Sequence, residues 1–142
     1  MNSEDWFEYV KSSYDLVMES EGQTKIILEH EVEAYVVHLI AKNFNRLDIG
    51  EQPIAIKMLE AVQNGTKNDL LSVADECLLI DSFPLKKSKW PNKNYYKELG
   101  ITAYGLAGHI MEKNFYPASK ILFFVFNRKI QDLSLISLDF NK

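Results

Sequence analysis

The chain has 142 residues, a formal net charge of −4, and a composition that is 46% hydrophobic and 25% charged. This length suits one domain with one core, which we expect to span residues 1–142. The apolar content is too high for an intrinsically disordered chain. The acidic balance argues against a dedicated nucleic-acid binder, because such proteins usually carry a net basic surface.

The ends and the cysteine content indicate where the protein resides. Cys77 is the only cysteine, so an intrachain disulfide is impossible and secretion is not supported. The first six residues are acidic and polar, unlike the basic and apolar start of a signal peptide. The apolar run at residues 121–126 is far too short to span a bilayer. We therefore expect a cytoplasmic protein with no membrane partner.

Apolar residues recur at helical spacing along nearly the whole chain, and no run shows the period-two alternation of a strand. The pattern predicts a first helix over residues 3–19, ended near Gly22, and a second helix over residues 24–44. The second helix is apolar on more than one side, which is typical of a central helix. We therefore expect it to be the hub of the core.

Turn residues and prolines divide the remaining chain into further helices. Pro53 predicts the first turn of a third helix, and Thr66 begins a fourth helix that Pro84 ends. A fifth helix is expected over residues 95–114, and a last one from Pro117 onward. The sequence therefore predicts an all-α fold, a compact bundle of five or six helices.

The predicted fifth helix is rich in glycine, with Gly100, Gly105 and Gly108 set among small residues. A glycine inside a helix costs roughly 1 kcal/mol relative to alanine. Several such residues in one helix indicate that another helix crosses very close to its backbone.

Histidines and carboxylates gather on the predicted second helix, at His30, Glu31, Glu33 and His38. A di-iron bundle site needs Glu-x-x-His pairs on two helices, and the sequence contains none. His30 and His38 are separated by about 12 Å along a helix, so they cannot bind one ion together. We therefore predict no metal site and no cofactor.

The sequence identifies no catalytic residue, so an enzymatic role is not favoured. Cys77 precedes an apolar run, where a cysteine usually packs as a small hydrophobe. The chain has no Gly-x-Ser-x-Gly elbow and no phosphate-binding glycine loop. Asp75 and Glu76 point about 100° apart on a helix and cannot form one carboxylate pair. We expect one of them to anchor a neighbouring element, although a buried acid there would also be a candidate for function.

Aromatic and polar residues of the central stretch form a candidate pocket between helices. Its expected lining is Tyr35, Cys77, Trp90, Tyr95, Tyr96 and His109. Tyrosine suits such a place because its ring is apolar and its tip is polar. The same side chains would equally fit a solid core with satisfied hydroxyls.

The segment 86–93, Lys-Lys-Ser-Lys-Trp-Pro-Asn-Lys, is the candidate interaction loop. Its proposed contact residues are Lys86, Lys87, Lys89, Trp90 and Lys93. Lysines attract phosphates or acidic partners, and a tryptophan can anchor a contact. The competing interpretation is a solvated loop whose tryptophan covers the core.

Several segments together resemble a family of small bacterial proteins of unassigned function. They are Glu33-Ala34-Tyr35-Val36-Val37, Asp75-Glu76-Cys77-Leu78-Leu79, Phe83-Pro84, Tyr95-Tyr96, Leu99-Gly100 and Ala103-Tyr104. The resemblance covers roughly the second to the fifth predicted helix. It implies an all-helical soluble domain, and it carries over no catalytic or binding residue.

The absence of a catalytic pattern, together with the many apolar positions, favours a helical protein-interaction or regulatory module. We expect a homodimer, because part of the apolar surface would close a two-fold interface. The first alternative is a small-molecule binding protein or enzyme with a pocket between helices. The second is a binder of acidic partners or nucleic acid through the lysine loop, with nucleic acid the less favoured of the two.

Overall fold

The structure is a computed structural model, and it describes residues 3–43, 54–84 and 94–140. In these ranges six α-helices pack against one another and no strand occurs. They are α1 (Ser3–Thr24), α2 (His30–Lys42), α3 (Ile54–Asn64), α4 (Lys67–Ser82), α5 (Tyr95–Leu106) and α6 (Phe115–Phe140), with a short 3-10 helix (Ile110–Glu112) before α6. The predicted all-α fold is confirmed.

The first helix is longer than predicted, because Gly22 does not end it. The hydroxyls of Ser20 and Thr24 donate hydrogen bonds to the carbonyls four residues earlier, at 2.8 Å and 2.7 Å. α1 ends only where Lys25 takes a left-handed backbone with a φ of 63°. A glycine that keeps helical geometry weakens a helix by about 1 kcal/mol but does not stop it.

The second helix begins later than predicted, at His30, because residues 25–29 form a non-helical link. The buried carboxylate of Glu21 accepts a hydrogen bond from the backbone amide of Leu28 at 2.7 Å. This bond fixes the link to the end of α1. Leu28 is itself buried in the core, so the link joins α1 and α2 into one packed pair.

The central helix is α4, and the prediction that the second helix is the hub was wrong. α4 packs against α3, α5 and α6, whereas α2 packs mainly against α1. Thr66 caps α4 by accepting a hydrogen bond from the Asp69 amide. Residues 77–80 of α4 are all buried and cover a full helical turn, so other helices surround α4. Both α2 and α4 are apolar on more than one side, so this pattern alone does not predict which of them is the central helix.

α4 and α5 approach closely at Gly100. A Cβ added there would lie 2.7 Å from the Phe115 ring and 3.0 Å from the Cβ of Cys77. Both distances are shorter than ordinary van der Waals contact, so this position has no room for a side chain. The expected close approach at a helical glycine is therefore confirmed at Gly100.

α5 is shorter than predicted, because Gly108 takes a left-handed backbone with a φ of 65°. The amide of Gly108 bonds to the carbonyl of Gly105, and the amide of His109 bonds to the carbonyl of Tyr104. Such a glycine is a common helix end because it has no Cβ to clash. The chain then makes one 3-10 turn and enters α6, which begins two residues before Pro117.

A pair of carboxyl groups links α1 to α2 and makes their packing sensitive to pH. Burial, followed by the hydrogen bond and negative charge of Glu21, raises the pKa of Glu33. The stability that protonated Glu33 contributes is fully present below the pKa that Glu33 has in the unfolded chain. It is lost as the pH rises through the pKa that Glu33 has in the folded protein. We expect Glu33→Gln to raise the free energy of unfolding by about 0.5 kcal/mol near neutral pH, because it removes the repulsion between two like charges.

Urea denaturation of the wild type and of Glu33→Gln, across a pH series, measures this effect. The advantage of the variant should shrink as the pH falls and Glu33 of the wild type becomes protonated, because its pKa is raised. Glu31→Gln is the matched control, because Glu31 is an exposed neighbour on the same helix. An equal gain in both variants would show that the net charge of α2, and not the contact with Glu21, is responsible.

Candidate functional site

Asp75 lies inside an apolar stripe of α4, between Leu71 and Leu79 one helical turn away on either side. Residues four apart on a helix share a face, so this acid points where its neighbours are apolar. Both leucines line the same groove as Asp75. Asp75 is therefore the acid that faces inward, and it is the centre of the candidate site.

Two tyrosine hydroxyls from different helices converge on one oxygen of Asp75. Tyr35 on α2 donates to Oδ1 at 2.5 Å, and Tyr104 on α5 donates to the same atom at 2.7 Å. Tyr104 is fully buried and Tyr35 partly so. The other carboxylate oxygen, Oδ2, has no hydrogen-bond partner among the residues that the structure describes. One oxygen of the carboxyl group is thus fixed by two hydrogen bonds, and the other is held by no described residue.

His109 completes the cluster from the connection between α5 and α6. Its ring centroid lies 4.7 Å from that of Tyr35, and its ring stacks on Tyr104 at 5.7 Å. Its Nδ1 accepts a hydrogen bond from the Met111 amide at 3.2 Å, which places the proton of the neutral ring on Nε2. Burial lowers the pKa of His109 in spite of the nearby Asp75 charge. The imidazole is therefore mainly neutral at physiological pH.

Burial raises the pKa of Asp75 above its usual value, although several groups oppose this shift. The two tyrosine hydroxyls, then the charge of Lys42, and His109 when its ring is protonated, favour the ionised form. Burial, and after it the charge of Asp75, also raises the pKa of Tyr35 and of Tyr104. Both phenols therefore remain protonated hydrogen-bond donors, and a donor that reached Oδ2 would add to them in favouring the carboxylate.

Asp75 lines a groove of about 550 Å³ between the C-terminal half of α2 and the neighbouring part of α4. Its walls are mostly polar, and they include three leucines. The lining residues are Tyr35, Leu39, Lys42, Asn43, Asn68, Leu71, Ser72, Asp75, Glu76 and Leu79. This volume lies within the range of small-molecule sites in proteins, about 300–1,000 Å³.

The described residues of the predicted pocket take part in several separate contacts. Tyr35 and His109 are in ring contact. Tyr95 and Tyr96 pack edge to face at the start of α5, with centroids 5.1 Å apart, and neither lines the groove. Cys77 is fully buried where α4 meets Gly100. Lining of one pocket by this set remains a prediction.

Trp90 lies outside the described residues, as do all the predicted contact residues of the lysine loop. These are Lys86, Lys87, Lys89 and Lys93. Their role as an interaction surface therefore remains a prediction.

The thiol of Cys77 is unsuited to nucleophilic chemistry. Burial, together with the charges of Glu76 and Asp81, raises its pKa to about 12. A thiol with this pKa is almost wholly protonated at neutral pH, and the thiolate is the reactive form. Cys77 acts here as a small core residue beside Gly100.

The sequence-based pocket omitted the two residues that hold the cluster together, Asp75 and Tyr104. The signal for Asp75 was present, since it interrupts a leucine stripe at a spacing of four residues. Tyr104 shares a helix face with Gly100, which marks the closest contact with α4. No sequence pattern joins Tyr35 to these residues, because it comes from a helix 40 positions away.

Within the described ranges, no group of three or more histidine, cysteine, aspartate or glutamate side chains is close enough to hold a metal ion. No helix in those ranges is long and apolar enough to cross a membrane. No protein-family model, curated protein or solved structure matches the chain. The resemblance noted in the sequence is thus supported only in its implication of a small all-helical protein.

Proposed function

We propose that this protein is a small-molecule binding protein whose α2–α4 groove holds a polar ligand bearing an ammonium group. One observation carries the proposal: Asp75 uses one oxygen to accept two tyrosine hydroxyls and leaves Oδ2 without a partner among the described residues, in the wall of a groove. An ammonium group would donate a hydrogen bond to Oδ2 and would place a positive charge in direct contact with the carboxylate.

The remaining lining suits an organic body attached to that ammonium group. Leu39, Leu71 and Leu79 provide apolar contact, while Asn43 and Asn68 provide amides that both donate and accept hydrogen bonds. Lys42 is exposed, and its charge favours ionisation of Asp75. The groove thus offers both apolar contacts and hydrogen-bonding groups to a ligand.

A purely structural role explains the cluster less well. An asparagine at position 75 would accept the same two hydroxyl bonds through its amide oxygen, without placing a charge in a buried position. The raised pKa of Asp75 means that the ionised carboxylate is disfavoured by its surroundings. A carboxyl group whose ionised form is disfavoured by burial, and which also lines a groove, is a candidate for a functional site.

Asp75→Asn is therefore expected to stabilise the protein and to abolish binding. Near neutral pH the variant should unfold at a higher temperature, because the folded state no longer disfavours a charge at this position. The gain should vanish in acid, where Asp75 is already protonated. Affinity for 2-phenylethylamine should fall by a factor of about 10–100, since one partner of a buried charge pair is lost.

Thermal unfolding and isothermal titration calorimetry measure the two effects on the same samples. The neutral analogue 2-phenylethanol should bind neither protein, and Asp15→Asn, an exposed substitution on α1, should behave as the wild type. Equal binding of the amine to the wild type and to Asp75→Asn would contradict the proposal. A loss of stability in Asp75→Asn would instead show that its charge holds the helices together.

The second candidate function is that of a cytoplasmic protein-interaction or regulatory module. This proposal includes a homodimer, and it includes membership of the bacterial family that the sequence resembles. The observation that favours it is a pair of exposed aromatic side chains on one face of α6. Tyr116 is 58% exposed and Phe123 is 47% exposed. Large apolar side chains that share a solvent-facing surface commonly mark contact sites.

A further inference from the structure

A second groove, of about 300 Å³, lies between the first turn of α5 and the first half of α6. Its apolar part is formed by Phe115, Tyr116 and Phe123. Tyr116 and Phe123 are two helical turns apart, about 10 Å along α6. The groove is separate from the Asp75 site and shares no lining residue with it.

Two lysines make this groove positive. The ammonium groups of Lys97 and Lys120 lie 5.5 Å and 5.2 Å from the centre of the Tyr116 ring. Neither lysine forms an ion pair within the described part of the chain. The one carboxylate in the lining, Asp81, accepts a hydrogen bond from Ser119 at 2.9 Å. Two lysines and one aspartate give the groove a net positive charge, whereas the chain as a whole has a net charge of −4.

We propose that this groove docks an acidic peptide segment of a partner protein, with its carboxylates on Lys97 and Lys120 and an apolar side chain between Tyr116 and Phe123. Charge complementarity selects an acidic segment over a basic one. The span of the two aromatic anchors suits an extended or helical peptide better than a small anion, which would contact only one of them. An exposed aromatic residue next to a cation is a common anchor in interfaces.

Two lysines can pair with the carboxylates of a short acidic segment, but they are too few to hold the many phosphates of a nucleic acid. A polyanion binder would ordinarily gather many cations and exclude a carboxylate from its site. The proposed site uses described residues alone. Its part on α5 starts at Asn94, directly after the lysine-rich segment in the sequence.

Fluorescence anisotropy tests the proposal with a fluorescein-labelled peptide of repeating Glu-Leu-Asp-Phe sequence. We expect micromolar binding that weakens as salt is added, because the contacts are between exposed charges. Lys97→Gln/Lys120→Gln should bind about tenfold more weakly, which is the loss expected for two exposed charge pairs. Tyr116→Ser should bind at least about fivefold more weakly, because it removes an aromatic anchor.

The matched control is Lys11→Gln/Lys67→Gln, which removes the same charge at two exposed sites that do not line the groove. It should bind the peptide within about twofold of the wild type. Circular dichroism of every variant separates a binding defect from a folding defect. If the control variant bound the peptide as weakly as Lys97→Gln/Lys120→Gln, the proposal would be overturned. Binding would then depend on the net charge of the protein and not on this groove.

Other occupants give distinguishable results, and each of them overturns the proposal. A peptide with lysine in place of the acidic residues would bind as tightly if only apolar contact mattered. Binding of duplex DNA or of phosphatidylserine vesicles, but not of the acidic peptide, would identify a different anion. A dimer in native mass spectrometry that is lost in Phe123→Ser would show that a second copy of the chain covers the groove.

Discussion

Replacing Tyr104 with alanine is expected to lower the free energy of unfolding by about 4 kcal/mol, the typical cost of removing a buried aromatic ring. Tyr104 is fully buried and stacks with His109, and it also lies at 6.3 Å from the Phe115 ring. Its loss would leave a cavity where α5 meets the rest of the core. It would also leave the partly buried Asp75 with Tyr35 as its remaining tyrosine donor.

Tyr104→Phe separates packing from hydrogen bonding at this site. It keeps the ring, so near neutral pH it should cost only about 1 kcal/mol, the net value of one hydrogen bond. The hydroxyl of Tyr104 lowers the pKa of Asp75, so the bond favours the ionised acid. The cost should therefore shrink as the pH falls and Asp75 becomes protonated.

Urea denaturation of both variants at about pH 7.5 and about pH 4.5 measures the two contributions. If Tyr104→Phe lost as much stability as Tyr104→Ala, packing of the ring would not be the main contribution of Tyr104 to stability. A cost for Tyr104→Phe that did not change with pH would mean that Asp75 is not the acceptor that matters.

Replacing Gly100 with leucine is expected to lower the free energy of unfolding by more than about 3 kcal/mol, at the upper end of overpacking costs. Even a Cβ at this position meets the Phe115 ring at 2.7 Å and Cys77 at 3.0 Å. Both neighbours are completely or almost completely buried, so neither can move toward solvent. A longer side chain would push α5 away from α4, and this contact is the most extensive one between helices.

Gly22→Ala is the matched control, because Gly22 lies inside α1 with nothing within 4 Å of an added Cβ. It should raise the free energy of unfolding by about 1 kcal/mol through helix propensity alone. Gly100→Ala gains the same propensity but loses more by overpacking, so it should be destabilised. Chemical denaturation of the three variants would contradict this account if Gly100→Ala were stabilised as much as Gly22→Ala.

Local signals in the sequence were sufficient to predict most of the helices. Thr66 and Pro84 bracket α4 as expected, because a threonine cap and a proline act within a few residues. The misplaced boundaries at Lys25 and Gly108 depend on left-handed residues, one of which is not a glycine. A lysine in that conformation has no sequence signature, since longer-range contacts such as that of Glu21 with Leu28 stabilise the turn.

By itself, the sequence determined the all-α class, the approximate succession of helices along the chain and a close approach at the glycine-rich helix, because periodicity, caps and glycine cost are local properties. Only the tertiary structure decided that α4 is the central helix and that Asp75 is its inward acid. It also decided that Tyr35 and Tyr104 meet on one carboxylate oxygen. Those features depend on which helix faces which, and that choice is made by packing across long stretches of chain.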